Sequence, residues 1–138
     1  MMLKNKLFIS FILAIMLNIL CLNAETITVN NVAELQTAIN KAMAGDILIL
    51  KNGTYLNNTL NISTSNIIVK AASPGEVFLN GTNKITIGGD RVTFTGFQFT
   101  SGNIGLNSIL EVSGNHNTLS QLNFKGYHEK ITYPEPKV

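Results

Sequence analysis

Large apolar residues recur along this chain in pairs separated by one residue, and the pairs repeat at a constant step of 25. Leu60 and Ile62 are followed by Ile85 and Ile87, then by Leu110 and Val112. A second series runs Ile67 and Val69, Val92 and Phe94, then Asn117 and Leu119, with one polar substitution in the third copy. Ala72, Phe97 and Leu122 form a third, single-position series. A fixed period of this length marks a stacked solenoid, and spacing by two within each unit makes its elements strands. The pattern predicts a parallel β-helix, an all-β fold that displays its functional groups along a flank.

The segment before the repeat has a different period. After an alternating strand, Thr26-Ile27-Thr28-Val29, the residues Val32, Leu35, Ile39, Ala42 and Met43 fall on one helical face. Asn31 is positioned to cap this helix with Glu34 as the reciprocal partner of a capping box, and Gly45 supplies a left-handed stop. The apolar face is expected to plug the bottom of the hydrophobic tube, since solenoids need terminal caps. Asp46-Ile47-Leu48-Ile49-Leu50 reads as a first strand buried on both sides, and Lys51-Asn52-Gly53-Thr54 as the turn that ends it. Turns at Ser73-Pro74-Gly75, Gly88-Gly89-Asp90 and Ser113-Gly114-Asn115 separate the later strands. About three coils follow the cap. The proline-containing stretch from Ile131 to Val138 offers no second cap, so a β-helix domain over residues 25–138 is expected to be cut short.

Residues 1–24 read as a signal peptide: Lys4 and Lys6 precede an apolar run from Leu7 to Leu22, and Leu22-Asn23-Ala24 offers a cleavage site. An uncleaved anchor and lipoprotein processing at Cys21 are the alternatives. Export to the periplasm or the exterior is expected, with no membrane association after removal of the signal. The chain then loses its only cysteine, and the basic and acidic side chains become equal in number. Disulfide staples are excluded, and nothing in the charge balance points to nucleic acid.

Ser65, Asp90 and Asn115 share the 25-residue step and are expected to form a polar ladder along one turn, with Glu111 near it. One aspartate in such a stack is too little for tight calcium binding, so no metal ligand is assigned. Arg91 and His116 are also one coil apart and would make a short basic stripe. With Lys125, Tyr127 and His128 they are the candidates for contact with an anionic sugar, against the plainer reading of solvated turn residues. The sequons at Asn52, Asn57, Asn61 and Asn80 read as turn-forming asparagines.

The stretch from Glu34 through Gly45-Asp46-Ile47-Leu48-Ile49-Leu50 to Tyr55 resembles the N-terminal signature of the sixth polysaccharide lyase family, which includes chondroitinase B and alginate lyases. The likeness continues through Ile67 to Val77 and from Gly88 to Phe99. It implies a right-handed parallel β-helix of the pectin-lyase kind that cleaves alginate or a glycosaminoglycan by β-elimination. It also implies a calcium ion, held by Asn and Glu, that neutralises the uronate carboxylate, a lysine base and an assisting arginine. No Asn/Glu/Glu cluster and no Lys followed at coil spacing by an Arg occurs in this sequence. The resemblance therefore places the calcium ligands and the catalytic pair on coils further along, and no catalytic residue is assigned here. The expected partner is an anionic polysaccharide and the expected state a monomer. A non-catalytic adhesion or glycan-binding β-helix is the alternative from another class, and a glycoside hydrolase, which needs two carboxylates flanking one bond, is a further one.

Overall fold

The computed structural model describes residues 23–102 and 108–127. Its strands are β1 (Thr26–Val29), β2 (Ile47–Leu50), β3 (Gly53–Leu56), β4 (Thr59–Ile62), β5 (Ile68–Ala71), β6 (Val77–Asn80), β7 (Lys84–Ile87), β8 (Thr93–Thr95), β9 (Phe97–Thr100), β10 (Leu110–Val112), β11 (Thr118–Ser120) and β12 (Asn123–Lys125), with one helix, α1 (Val32–Lys41). Every strand pairing is parallel, and three sheets result. The first sheet runs β1-β2-β5-β8-β11, the second β3-β6-β9-β12, and the third β4-β7-β10. The chain thus winds three full coils, with β1 below them and β11 and β12 beginning a fourth. This is the parallel β-helix that the repeat predicts.

The 25-residue step arises from one corner. Residues 63–67, 88–92 and 113–117 link the third sheet to the first with turns of equal length, so both flanking sheets keep the register Leu60↔Ile85↔Leu110 and Ile68↔Thr93↔Thr118. The corner from the first sheet to the second varies: residues 72–76 make it in one coil, Gly96 alone in the next. Val77, not Ala72, therefore stacks against Phe97, and Ala72 is exposed. The compression is possible because Gly96 adopts φ +89 and its missing side chain leaves room for Ala71.

Inward-facing residues form stacked columns. Leu48, Val69 and Phe94 rise in the first sheet, Leu79 and Phe99 in the second, and Leu60 and Ile85 in the third, all buried. Aromatic rings thicken the upper core: Phe94 stacks on Phe97 at 4.3 Å, and Phe99 on Phe124 at 4.6 Å. Above them Val112, Leu119 and Phe124 are exposed.

The helix closes the bottom as expected, burying Leu35, Ala38 and Ile39. Asn31 Oδ1 accepts from Glu34 N at 2.8 Å, and the Glu34 carboxylate accepts from Asn31 Nδ2 and Asn30 N. Gln36 replaces a missing strand: its amide donates to the Asn61 carbonyl at 2.9 Å and accepts from Asn61 N at 2.7 Å, so the free edge of β4 is paired. Three expectations are corrected. The helix ends at Lys41 with Ala42 as an extended C-cap, so Met43 lies outside it and is exposed, and Gly45 is a corner residue. Gly53–Leu56 is a strand, β3, in place of a turn, and Ile47 and Ile49 of β2 lie half-buried on the outer surface above β1.

Asp46 ties the cap to the first coil. Its carboxylate is buried and accepts from Glu25 N and from Met43 N, each at 2.8 Å, and these backbone hydrogen bonds hold its pKa below the ordinary value. A pKa depressed in the folded state gives stability that is present above the unfolded-state pKa and lost as pH falls through the folded one. Melting temperature is expected to hold between neutrality and about pH 5 and then to fall. Asp46→Asn should lower it at neutral pH and flatten the acid decline, read from thermal melts across pH.

Candidate functional site

The corner between the third and first sheets carries two stacked series. In the first, Asp90 N donates to Ser65 Oγ at 3.0 Å, and Asp90 Oδ1 accepts from Asn115 N at 2.7 Å and Asn115 Nδ2 at 3.3 Å. The Ser65 and Asp90 side chains each satisfy a turn amide of the next coil, as the polar-ladder reading expects, and the Asn115 side chain returns a hydrogen bond to Asp90. The backbone hydrogen bond from Asn115 lowers the Asp90 pKa most, with smaller contributions from the Asn115 side chain, Arg91 and His116. In the second series Asn66, Arg91 and His116 all adopt positive φ, at 59, 51 and 57. That conformation costs a residue other than glycine or asparagine about 1–2 kcal/mol. It is held because Asn66 N donates to the Asp90 carbonyl and Arg91 N to the Asn115 carbonyl, each at 2.9 Å. The result is to place Arg91 and His116, both exposed, in the same turn of successive coils.

Lys125 and Tyr127 lie elsewhere, at the upper end of the second sheet. Lys125 is exposed on the outer surface. Tyr127 is half-buried against the core, where its hydroxyl accepts from Asn83 Nδ2 at 2.9 Å. His128 lies outside the described residues. The five candidates therefore do not converge: Arg91 and His116 share one corner, while Lys125 and Tyr127 flank another.

Of the outer face of the second sheet, the sequence pattern points to Lys125 alone. Register places Thr54, Phe78, Gln98 and Asn123 in one outward column, and Leu56, Asn80, Thr100 and Lys125 in the next. Phe78 is half-buried between the buried Val77 and Leu79, so its ring points outward. Along the columns Asn123 Nδ2 donates to Gln98 Oε1 at 3.4 Å, Gln98 Nε2 to the Gly75 carbonyl at 2.6 Å, and Thr100 Oγ1 to Asn80 Oδ1. An irregular step hides these columns, since the register advances only 20 residues from Asn80 to Thr100.

Among the described residues the groups present do not fit calcium. Among the described residues no three His, Cys, Asp or Glu side chains gather. Asp90 spends one oxygen on two donors of Asn115 and has Arg91 and His116 as its charged neighbours, an arrangement that opposes a cation. Among the described residues no helix is long and apolar enough to cross a membrane.

Comparison with known proteins agrees with this architecture. No curated protein matches the chain. A solved PL6 alginate lyase in complex with a trisaccharide superposes with a TM-score of 0.61 at 24% identity, over 80% of this chain and 24% of that one. The chain thus spans about a quarter of that structure. At this identity the likeness speaks for the fold alone, a parallel β-helix. The family model described as chondroitinase B matches residues 29–133, which takes in the capping helix, all three full coils and the start of the fourth. With the repeat, the cap and the stacking in one order, the chain belongs to the chondroitinase B family.

Proposed function

We propose that this chain is the cap-proximal part of an exported polysaccharide lyase and holds a uronate-containing polysaccharide, alginate or a glycosaminoglycan, against its flank. The observation that carries this reading is the chondroitinase B family match over residues 29–133. The trisaccharide bound by the structurally similar alginate lyase supports a glycan as the partner. Export follows from Lys4, Lys6 and the apolar run from Leu7 to Leu22. β-Elimination assisted by calcium is the reaction of the whole enzyme in this reading, and Arg91, His116, Lys125, Tyr127 and His128 serve binding.

Cationic side chains attract uronate carboxylates more than neutral sugars, and salt weakens that attraction. Affinity electrophoresis of the chain lacking residues 1–24 tests the reading. Retardation is expected in gels containing alginate or dermatan sulfate, little in gels containing a neutral cellulose derivative, and less in uronate gels at higher salt. Arg91→Ala combined with Lys125→Ala should reduce the retardation. Equal mobility in every gel contradicts the proposal.

A further inference from the structure

We propose that the outer face of the second sheet is a glycan platform, on which an oligouronate lies along the helix axis across β3, β6, β9 and β12. The proposal rests on the glycan reading above and assigns it a surface. Six side chains carry it: Phe78, Asn80, Gln98, Thr100, Asn123 and Lys125.

Three features set this face apart. The first is chemistry. Amides stand on three successive strands, Asn80 on β6, Gln98 on β9 and Asn123 on β12. A primary amide offers two donors and two acceptor lone pairs, the complement of a sugar's vicinal hydroxyls, and the contacts along the ladder occupy only part of that capacity. The outer face of the first sheet instead carries Ile47, Ile49 and Ile68 with Lys70 among them, then hydroxyls at Thr93 and Thr95, and no primary amide on any of its strands. The outer face of the third sheet carries Thr59, Asn61, Lys84, Thr86 and Glu111, and the Glu111 carboxylate at its upper end opposes an anionic polymer.

The second feature is an outward aromatic ring. Phe78 stands over Thr54 and under Gln98, with Leu56, 67% exposed, in the adjoining column. An outward aromatic ring beside an exposed leucine offers an apolar contact that the C–H face of a pyranose ring can match. Apolar contact thus sits at the lower end, amides in the middle, and the Lys125 ammonium at the upper end, where a carboxylate would meet it.

The third feature is spacing and rigidity. Strands stack about 4.8 Å apart, so the face is on the order of 14 Å long and presents about one polar group per sugar-ring length. The hydrogen bonds from Asn123 to Gln98, from Gln98 to Gly75 and from Thr100 to Asn80 fix the side chains before any ligand arrives. Preorganisation of this kind lowers the entropic cost of binding.

The test titrates the chain lacking residues 1–24 with an alginate hexasaccharide, following affinity by calorimetry and location by amide chemical shifts. Asn123→Ala and Lys125→Ala alter exposed side chains and leave the core intact. Each is expected to weaken binding about three- to tenfold, the range of one hydrogen bond. Phe78→Ala should do so by at least as much, while Thr118→Ala on the first sheet should have no effect. Shift changes should follow β6, β9 and β12. If the wild-type chain binds and the second-sheet variants bind equally well, the platform is wrong and the glycan reading stands. If the wild-type chain does not bind the hexasaccharide, both are overturned.

Discussion

Replacing Phe97 with alanine is expected to lower the unfolding free energy by about 3–5 kcal/mol, the range for truncating a fully buried aromatic side chain. Phe97 is 1% exposed, lies against Phe94 at 4.3 Å with the rings within 8° of parallel, and continues the Val77 column. The cavity would persist, because the backbone around it is tied from both sides. Gly75 N donates to the Gly96 carbonyl and Gly96 N to the Ser120 carbonyl, which fixes the one-residue corner beside the ring. Small domains are stable by only about 5–15 kcal/mol, so this single change removes a large share of the margin. Leu119→Ala, at a position 42% exposed above Phe94, should cost far less. Urea unfolding of the two variants measures the difference. Equal losses would contradict the difference in burial between the two positions.

Asn83→Ala is the second large effect. Asn83 is buried at the corner between the second and third sheets, and its amide serves three coils at once. Its Oδ1 accepts from Asn58 N at 3.1 Å and Asn58 Nδ2 at 2.8 Å, and its Nδ2 donates to the Leu79 and Gly81 carbonyls and to the Tyr127 hydroxyl. Alanine would strand several buried polar groups, each worth about 1–3 kcal/mol when left unpaired. Asn83→Asp keeps the acceptor and loses the donors, and burial would raise the new carboxyl's pKa. A pKa raised in the folded state means that the folded protein binds more protons, so this variant should gain stability as pH falls, opposite to the wild-type trend set by Asp46. Parallel melting profiles from neutrality to about pH 4 test the sign.

How much of this was legible in the sequence depends on which corner made each part. The 25-residue step could be read because the turns at 63–67, 88–92 and 113–117 match, and it gave the first and third sheets, the ladder from Ser65 to Asn115 and the pairing of Arg91 with His116. The capping box could be read because its partners are three residues apart. The second sheet could not be followed past Gly96, since a corner that shrinks from residues 72–76 to one glycine shifts every inward position. Thus Ala72 was placed where Val77 stands, and the outward column of Phe78, Gln98 and Asn123 went unseen. The strand β3 was hidden by Asn52-Gly53-Thr54, whose residue types suit a turn equally well. Buried Asn58 and Asn83 also look like turn formers, and their 25-residue separation was the available signal. Residue type alone points to Tyr127 as a sugar contact, and no pattern in the sequence shows that its hydroxyl also closes that asparagine ladder.

The central proposal is that this chain holds a uronate polymer on its flank and that β-elimination belongs to the whole enzyme, a reading supported by the chondroitinase B match over residues 29–133. The most direct measurement incubates the chain lacking residues 1–24 with alginate or dermatan sulfate and calcium, and follows the ultraviolet absorbance of unsaturated uronate. The same sample is run in a polymer-containing gel to show that it is folded and binding. The account predicts retardation in the gel with a flat absorbance trace, and a calcium-dependent rise in absorbance would contradict it.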